Sequence, residues 1–271
     1  MSNWDYIAIA FVMLIGVPHG GLDGAIARRA GWSKTFFGWL IFHTSYLLLA
    51  IMVVVIWWYF PGVSLTIFLL LSAIHFGTSD IKIVAHPWRW SNFLPLISHC
   101  GLIVIGIPGL HPSDVQPIFV MLAGEEAANL LISASKFLLV PWLISLLIYL
   151  CYSYFRITWV PTASIAAGVY VSAYILDPLI SFALYFCLIH SPSHSFLVWA
   201  EIKPEDRMRS SVEAASYTLI TWLAGIFLVI FFLNNPNFHL EPILIQITFI
   251  GLAALTVPHM ILVDLLDKNN D

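Results

Sequence analysis

Apolar stretches long enough to cross a membrane recur from one end of this chain to the other, and they leave room for little else. A helix needs about 20 apolar residues to span the hydrocarbon core, where every backbone N–H and C=O must be satisfied inside the segment. Candidate spans fall near 5–27, 36–59, 63–84, 92–110, 137–156, 159–177, 178–200, 212–233 and 243–264. The sixth is short, begins at Pro161 and meets the seventh at Asp177-Pro178. Residues 112–135 set Asp114, Glu125 and Glu126 between apolar positions, which predicts a short helix lying along the membrane surface. The expected fold is all-α, a polytopic transmembrane helical bundle of eight or nine spans. Composition supports it: 60% of the 271 residues are hydrophobic and 10% charged, with a mean hydropathy of +0.91. A soluble domain lies nearer half apolar and about a quarter charged. No linker, charge block or low-complexity tract marks a boundary, so residues 1–271 read as a single integral membrane domain. The mild net charge of −4 argues against nucleic acid as a partner.

Basic residues give a separate reading of topology. If all nine spans cross and the N-terminus lies outside, then Arg28, Arg29, Lys34, Lys82, Arg89, Arg156, Lys203, Arg207, Arg209 and Lys268 face the cytoplasm, and Lys136 alone falls outside. This predicts a cytoplasmic C-terminus and a multi-pass protein of the cell (inner) membrane. The opening MSNWDYIAIAFVML lacks the basic region of a cleaved leader, so the first stretch is expected to stay as a helix. Cys100, Cys151 and Cys187 lie in apolar runs without metal-type spacing and read as small buried hydrophobes.

Ten histidines are many for such a chain, and an ionisable group inside a span is costly enough to be a functional candidate. With about 1.5 Å of rise per residue, His19, His75, the pair His190/His194 and His259 all fall in the cytoplasmic half of their spans. His43 and His99 reach a similar level from the other direction. His190 and His194 stand four residues apart, on one helical face and within reach of one ion. Imidazole suits zinc, copper, iron or nickel, and the lack of nearby thiolates argues against an iron–sulfur cluster. Asp23, four residues past His19, has the spacing of a carboxylate that holds a ring N–H; Asp80, five past His75, and Asp264, five past His259, are looser. His43, His99 and His259 read as outer partners of the site, substrate contacts or plain helix–helix hydrogen bonds. His86, His111 and His239 read as solvated loop residues.

The motifs PHGGLD at 18–23, IHFGTSD at 74–80, HSPSHS at 190–195 and TVPHM at 256–260 resemble, in order and spacing, the Brp/Blh family of membrane β-carotene 15,15′-dioxygenases. The resemblance runs along most of the chain. It implies non-haem Fe(II) as cofactor and, as its ligands, His19, His75, His190 and His194. It also implies cleavage of the central double bond of β-carotene with O₂ into two molecules of all-trans-retinal, and a link to a microbial rhodopsin that uses the retinal. The family commonly has alanine where this chain has Gly21, a small-for-small difference. The substrate is a rigid hydrocarbon dissolved in the bilayer, with a length comparable to the ~30 Å lipid core, so lateral access is expected. Some of Phe76, Tyr152, Tyr170, Tyr174, Tyr185, Phe186 and Phe196 are candidates for a polyene tunnel. Trp57, Trp58, Trp142, Trp159 and Trp222 read mainly as interfacial or packing residues.

Two other classes compete. A membrane di-iron desaturase or hydroxylase needs HxxxH and HxxHH boxes, and this chain has one HxxxH and no HxxHH. A haem-binding or transport protein also uses histidines and polar groups at membrane depth. A zinc protease of the HExxH type is excluded, since no histidine here is followed by glutamate.

Overall fold

The computed structural model describes residues 2–32, 35–85 and 90–268, and the side chains of His19, 82–85 and 264–268 fall outside that description. His86, Lys34 and Arg89 lie outside it as well. The described chain is helical, in ten rods: α1 (Asn3–Arg29), α2 (Phe36–Tyr59), α3 (Pro61–Ala85), α4 (Trp90–Leu110), α5 (Pro112–Ala123), α6 (Glu125–Ser153), α7 (Val160–Ile175), α8 (178–201), α9 (Arg207–Leu233) and α10 (Leu240–Lys268). Seven helical stretches among the described residues are long and apolar enough to cross a membrane, within α1, α2, α3, α4, α6, α9 and α10. The remaining two expected spans appear as the 16-residue α7 and the interrupted α8.

Local chemistry sets the breaks. Proline, which lacks the N–H that the first turn leaves unpaired anyway, opens α3, α5 and α8. Thr35 caps α2 by accepting from the Gly38 N–H at 3.1 Å. Between α5 and α6 the chain turns at Gly124, whose φ of 84° is open to glycine at no steric cost. That turn divides the expected surface segment 112–135: its first half is α5, and its second half extends the long α6. Glu125 and Glu126 therefore sit in the first turn of α6, where the helix dipole favours acidic groups.

The chain divides into two compact units, 1–61 with 191–271, and 62–190. In the first, α10 packs on α2, and α9 packs on the middle of α1. Its core joins Leu22, Ala25, Ile26 and Ala27 of α1 to Phe42 of α2, Val198 of α8 and Leu262 of α10. Outward faces stay apolar: only 6% of the apolar window of α2 is buried, and none of that within Pro204–Leu233. Such faces are stable against lipid and would not be against water.

In the second unit α4 packs along α6 at unusually close range. A Cβ on Gly101 would stand 2.1 Å from Trp142 Nε1, one on Gly106 3.1 Å from the same ring, and one on Gly109 3.0 Å from Leu139. The Trp142 indole donates to the Ser98 carbonyl at 3.0 Å, so the closeness also satisfies a buried donor. Tyr149 of α6 and Thr162 of α7 share a 2.7 Å hydroxyl hydrogen bond. These are the helices of a multi-pass membrane protein.

Candidate metal centre

The first unit builds its polar centre by breaking the winding of α1. Residues Val12–Gly16 form a π turn and Val17–Leu22 a 3₁₀ turn, before α-helix resumes at Asp23. Irregular backbone at membrane depth needs new partners for its carbonyls. Trp222 Nε1 donates to the Met13 carbonyl at 2.8 Å, and the Ser191 hydroxyl lies 3.4 Å from the Ile15 carbonyl. Gly21 allows α9 to close on this stretch, since a Cβ there would meet the Ala214 carbonyl at 2.8 Å.

Asp23 follows directly and is 3% exposed. Burying a carboxylate is costly unless hydrogen bonds replace its water, and two do. His259 Nδ1–H donates to one oxygen at 2.6 Å, and the Tyr46 hydroxyl donates to the other at 2.8 Å. On its far side the His259 ring meets His194 edge to face, with centroids 4.9 Å apart. One turn along α1, Arg28 pairs with Glu213 and donates to Ser210 at 2.8 Å; Arg209 also donates to Glu213, at 2.8 Å. Trp39 has the guanidinium groups of Arg28 and Arg209 at 5.6 and 5.5 Å from its ring centre. This network ties α1 to α9 and leaves Asp23 to His259 and Tyr46.

The second unit repeats the theme. Gly77 of α3 sits against Cys100 of α4, where a Cβ would be 2.3 Å from the Cys100 sulfur and 3.0 Å from its backbone nitrogen. One turn on, Asp80 accepts from His99 Nδ1–H at 3.0 Å and from the Tyr185 hydroxyl at 2.9 Å. The carboxylate fixes the His99 tautomer with its proton on Nδ1. The other ring nitrogen, Nε2, is buried without a hydrogen-bond partner among the described residues, a situation that costs about 1–3 kcal/mol. His75 and His190 meet with ring centroids 5.1 Å apart. His190 ends the π turn Tyr185–His190 and is walled by Phe76 at 4.6 Å, edge to face, and by Phe186 at 5.9 Å, nearly parallel. Each of the three π turns abuts a site segment: Val12–Gly16 leads to His19, Leu102–Gly106 follows His99, and Tyr185–His190 closes on His190. Such turns concentrate at functional sites.

The expected site residues distribute as follows. His75, His190 and His194 are buried, with 9, 1 and 9% exposure. The side chain of His19 lies outside the described residues. Asp23 and Asp80 reach across helices, to His259 and His99. His43 is exposed and uses both ring nitrogens, Nδ1–H donating to the Trp39 carbonyl at 2.7 Å and Nε2 accepting from the Tyr217 hydroxyl at 2.8 Å. His111 does lie in the loop between α4 and α5, but its ring is held rather than solvated, since Nε2–H donates to the Ala173 carbonyl at 2.7 Å. Phe76, Tyr185 and Phe186, read from sequence as tunnel candidates, stand around His190. Tyr46 carried no sequence signal beyond being a hydroxyl inside an apolar span.

Among the described residues no three histidine, cysteine or acidic side chains converge on one point in a manner that could hold a metal; the histidines come in pairs. Two imidazoles sharing an ion about 2.1 Å from each nitrogen have ring centroids about 4.5–5.2 Å apart. Both observed pairs fall in that interval. The donor set, imidazoles among aromatic and aliphatic side chains, suits a first-row transition ion.

Residues 10–267 match the family model described as beta-carotene 15,15'-dioxygenase. A protein of an uncultured marine bacterium, 66A03, named Beta-carotene 15,15'-dioxygenase, is 34% identical over an alignment that covers 96% of this chain and 93% of that protein. No solved structure matches the chain.

Proposed function

Since the chain belongs to the β-carotene 15,15′-dioxygenase family and is an enzyme of that activity, we propose that His19, His75, His190 and His194 would hold one Fe(II) ion, and that the enzyme uses O₂ to cleave the central double bond of β-carotene into two molecules of all-trans-retinal. The observation that carries the metal reading is the pairing of buried imidazoles, His75 with His190 and His194 with His259, at separations suited to a shared ion. Bound iron would supply the one-electron chemistry with O₂ that a closed-shell hydrocarbon needs.

The chain's own residues hold and shield. Phe76, Tyr185 and Phe186 keep water from the His190 ring, which protects reactive species from side reactions. Asp23 and Asp80 accept from histidine and tyrosine donors, which assigns them to holding those rings in place. That suits a cleavage whose two oxygens both end in aldehydes and which requires no acid–base group. The remaining task is to position a stiff polyene, and positioning alone contributes strongly to rate. The substrate reaches the enzyme from the bilayer of the inner membrane, and the retinal product leaves for a microbial rhodopsin.

Expression in a bacterial host that accumulates β-carotene tests the reaction. The expected result is loss of orange colour with retinal as the product on chromatography. Apocarotenals of unequal length would refute central cleavage. Metal analysis of the purified protein should give about one iron per chain and no Soret band; a Soret band would move the reading to a haem protein.

A further inference from the structure

We propose that His259 is a nitrogen donor to the metal centre beyond the four histidines named above, and that Asp23 and Tyr46 are the positioning residues that hold it for that role. The inference rests on the metal reading and deepens it.

Three observations converge within the first unit. The Asp23 carboxylate accepts from His259 Nδ1–H at 2.6 Å, which leaves the lone pair of that ring on Nε2. Metal-bound histidines nearly always donate their other N–H to a carboxylate, carbonyl or water, which fixes ring orientation and makes the ligating nitrogen more basic. The carboxylate is itself fixed, since Tyr46 donates to its second oxygen at 2.8 Å. Finally, the His259 ring stands 4.9 Å from that of His194, a proposed ligand, with an interplanar angle of 71°. The spacing fits two imidazoles that share one ion.

The second unit supplies an independent instance of the same device. His99 donates through Nδ1 to Asp80, Tyr185 donates to the same carboxylate, and His99 Nε2 lies buried without a hydrogen-bond partner among the described residues. A tyrosine–aspartate–histidine chain assembled twice, from different helices, is a built arrangement for presenting one imidazole nitrogen.

The competing role for His259 is purely structural, a hydrogen bond tying α10 to α1. The variant His259→Asn separates the two, because its amide N–H can still donate to Asp23 while no second ring nitrogen remains. The readout is Co(II) loading of the purified protein in detergent, followed by the visible d–d spectrum and by titration. The wild type is expected to load and give a characteristic spectrum. His259→Asn should bind Co(II) at least tenfold more weakly with altered bands. In His259→Gly, added imidazole should restore the wild-type spectrum. Asp23→Asn should weaken binding about 10–100-fold while the band positions stay near wild type, since the ligand set is intact. A His259→Asn protein that loads with wild-type affinity and spectrum would overturn the inference and leave the four-histidine reading standing. A wild-type protein that takes up neither cobalt nor iron would overturn both.

Discussion

Replacing Gly77 by alanine should disturb the polar centre of the second unit without touching any of its histidines or carboxylates. The new Cβ would lie 2.3 Å from the Cys100 sulfur, 3.0 Å from its backbone nitrogen and 3.2 Å from its Cα. The sulfur can rotate away, but the backbone atoms cannot, so α3 and α4 must part by a few tenths of an ångström to reach ordinary contact. Forced overpacking of this kind costs about 1–3 kcal/mol. The same separation acts on the 3.0 Å bond from His99 to Asp80 one turn away, and a hydrogen bond to a charged group is worth about 1.5–3 kcal/mol. The sum, about 2.5–6 kcal/mol, corresponds to a drop in Tm of roughly 5–24 °C for a chain of this size. Thermal unfolding in detergent, followed by circular dichroism, measures it. Gly168→Ala in α7 is the control, because a Cβ there meets nothing within 4 Å. Adding Cys100→Ala to Gly77→Ala should recover only part of the loss, since the backbone contacts remain. A Gly77→Ala protein that melts within about 2 °C of the wild type, the shift that about 1 kcal/mol or less would give, would refute the close-crossing argument.

Other consequences are simpler to read. Alanine at any one of His19, His75, His190 or His194 should abolish retinal formation and lower iron content; full activity in a variant removes that residue from the ligand set. His43→Ala should retain both iron and activity, because that ring spends its two nitrogens on Trp39 and Tyr217; loss of iron in that variant would contradict the assignment. Gly21→Ala should cost about 1–3 kcal/mol by thermal melting, since the Ala214 carbonyl stands 2.8 Å from the new Cβ; an unchanged Tm would show that α9 moves aside freely. Arg28→Lys should destabilise by about 1–3 kcal/mol, because a single ammonium cannot reproduce the forked contacts to Glu213 and Ser210.

Much of this was legible in the sequence. Apolar runs gave the helical class, and the histidine motifs pointed to the residues that pair. The carboxylate partners were not legible, and the reason is helical geometry. A four-residue step along an α-helix returns almost to the same face, which made Asp23 look like a partner for His19. The backbone from Val17 to Leu22 is 3₁₀, with about 3.0 residues per turn, so position 23 is carried roughly 120° around the axis from position 19. Asp80 is five α-helical residues past His75, or about 140° away. Each carboxylate is therefore turned toward another helix, where a histidine and a tyrosine receive it. Hydropathy does not register such changes in winding, nor does it locate a partner such as Tyr46, which is distant in sequence. The same limit applies to α5 and α6, whose division at Gly124 depends on one backbone angle.

The three glycines of α4 that face α6 show what a π turn does to a helix beyond loosening it. Gly101 and Gly109 are eight residues apart, and on a uniform helix of about 100° per residue they would point some 80° apart. Both nevertheless meet α6, with Gly106 between them. The turn at Leu102–Gly106 winds by only about 82° per residue, which brings positions 101 and 109 to within roughly 15° of each other. It acts as a phase correction, absorbing one surplus residue so that a flat glycine seam continues past it. A helical wheel drawn at constant pitch sets the two ends of that seam about 80° apart.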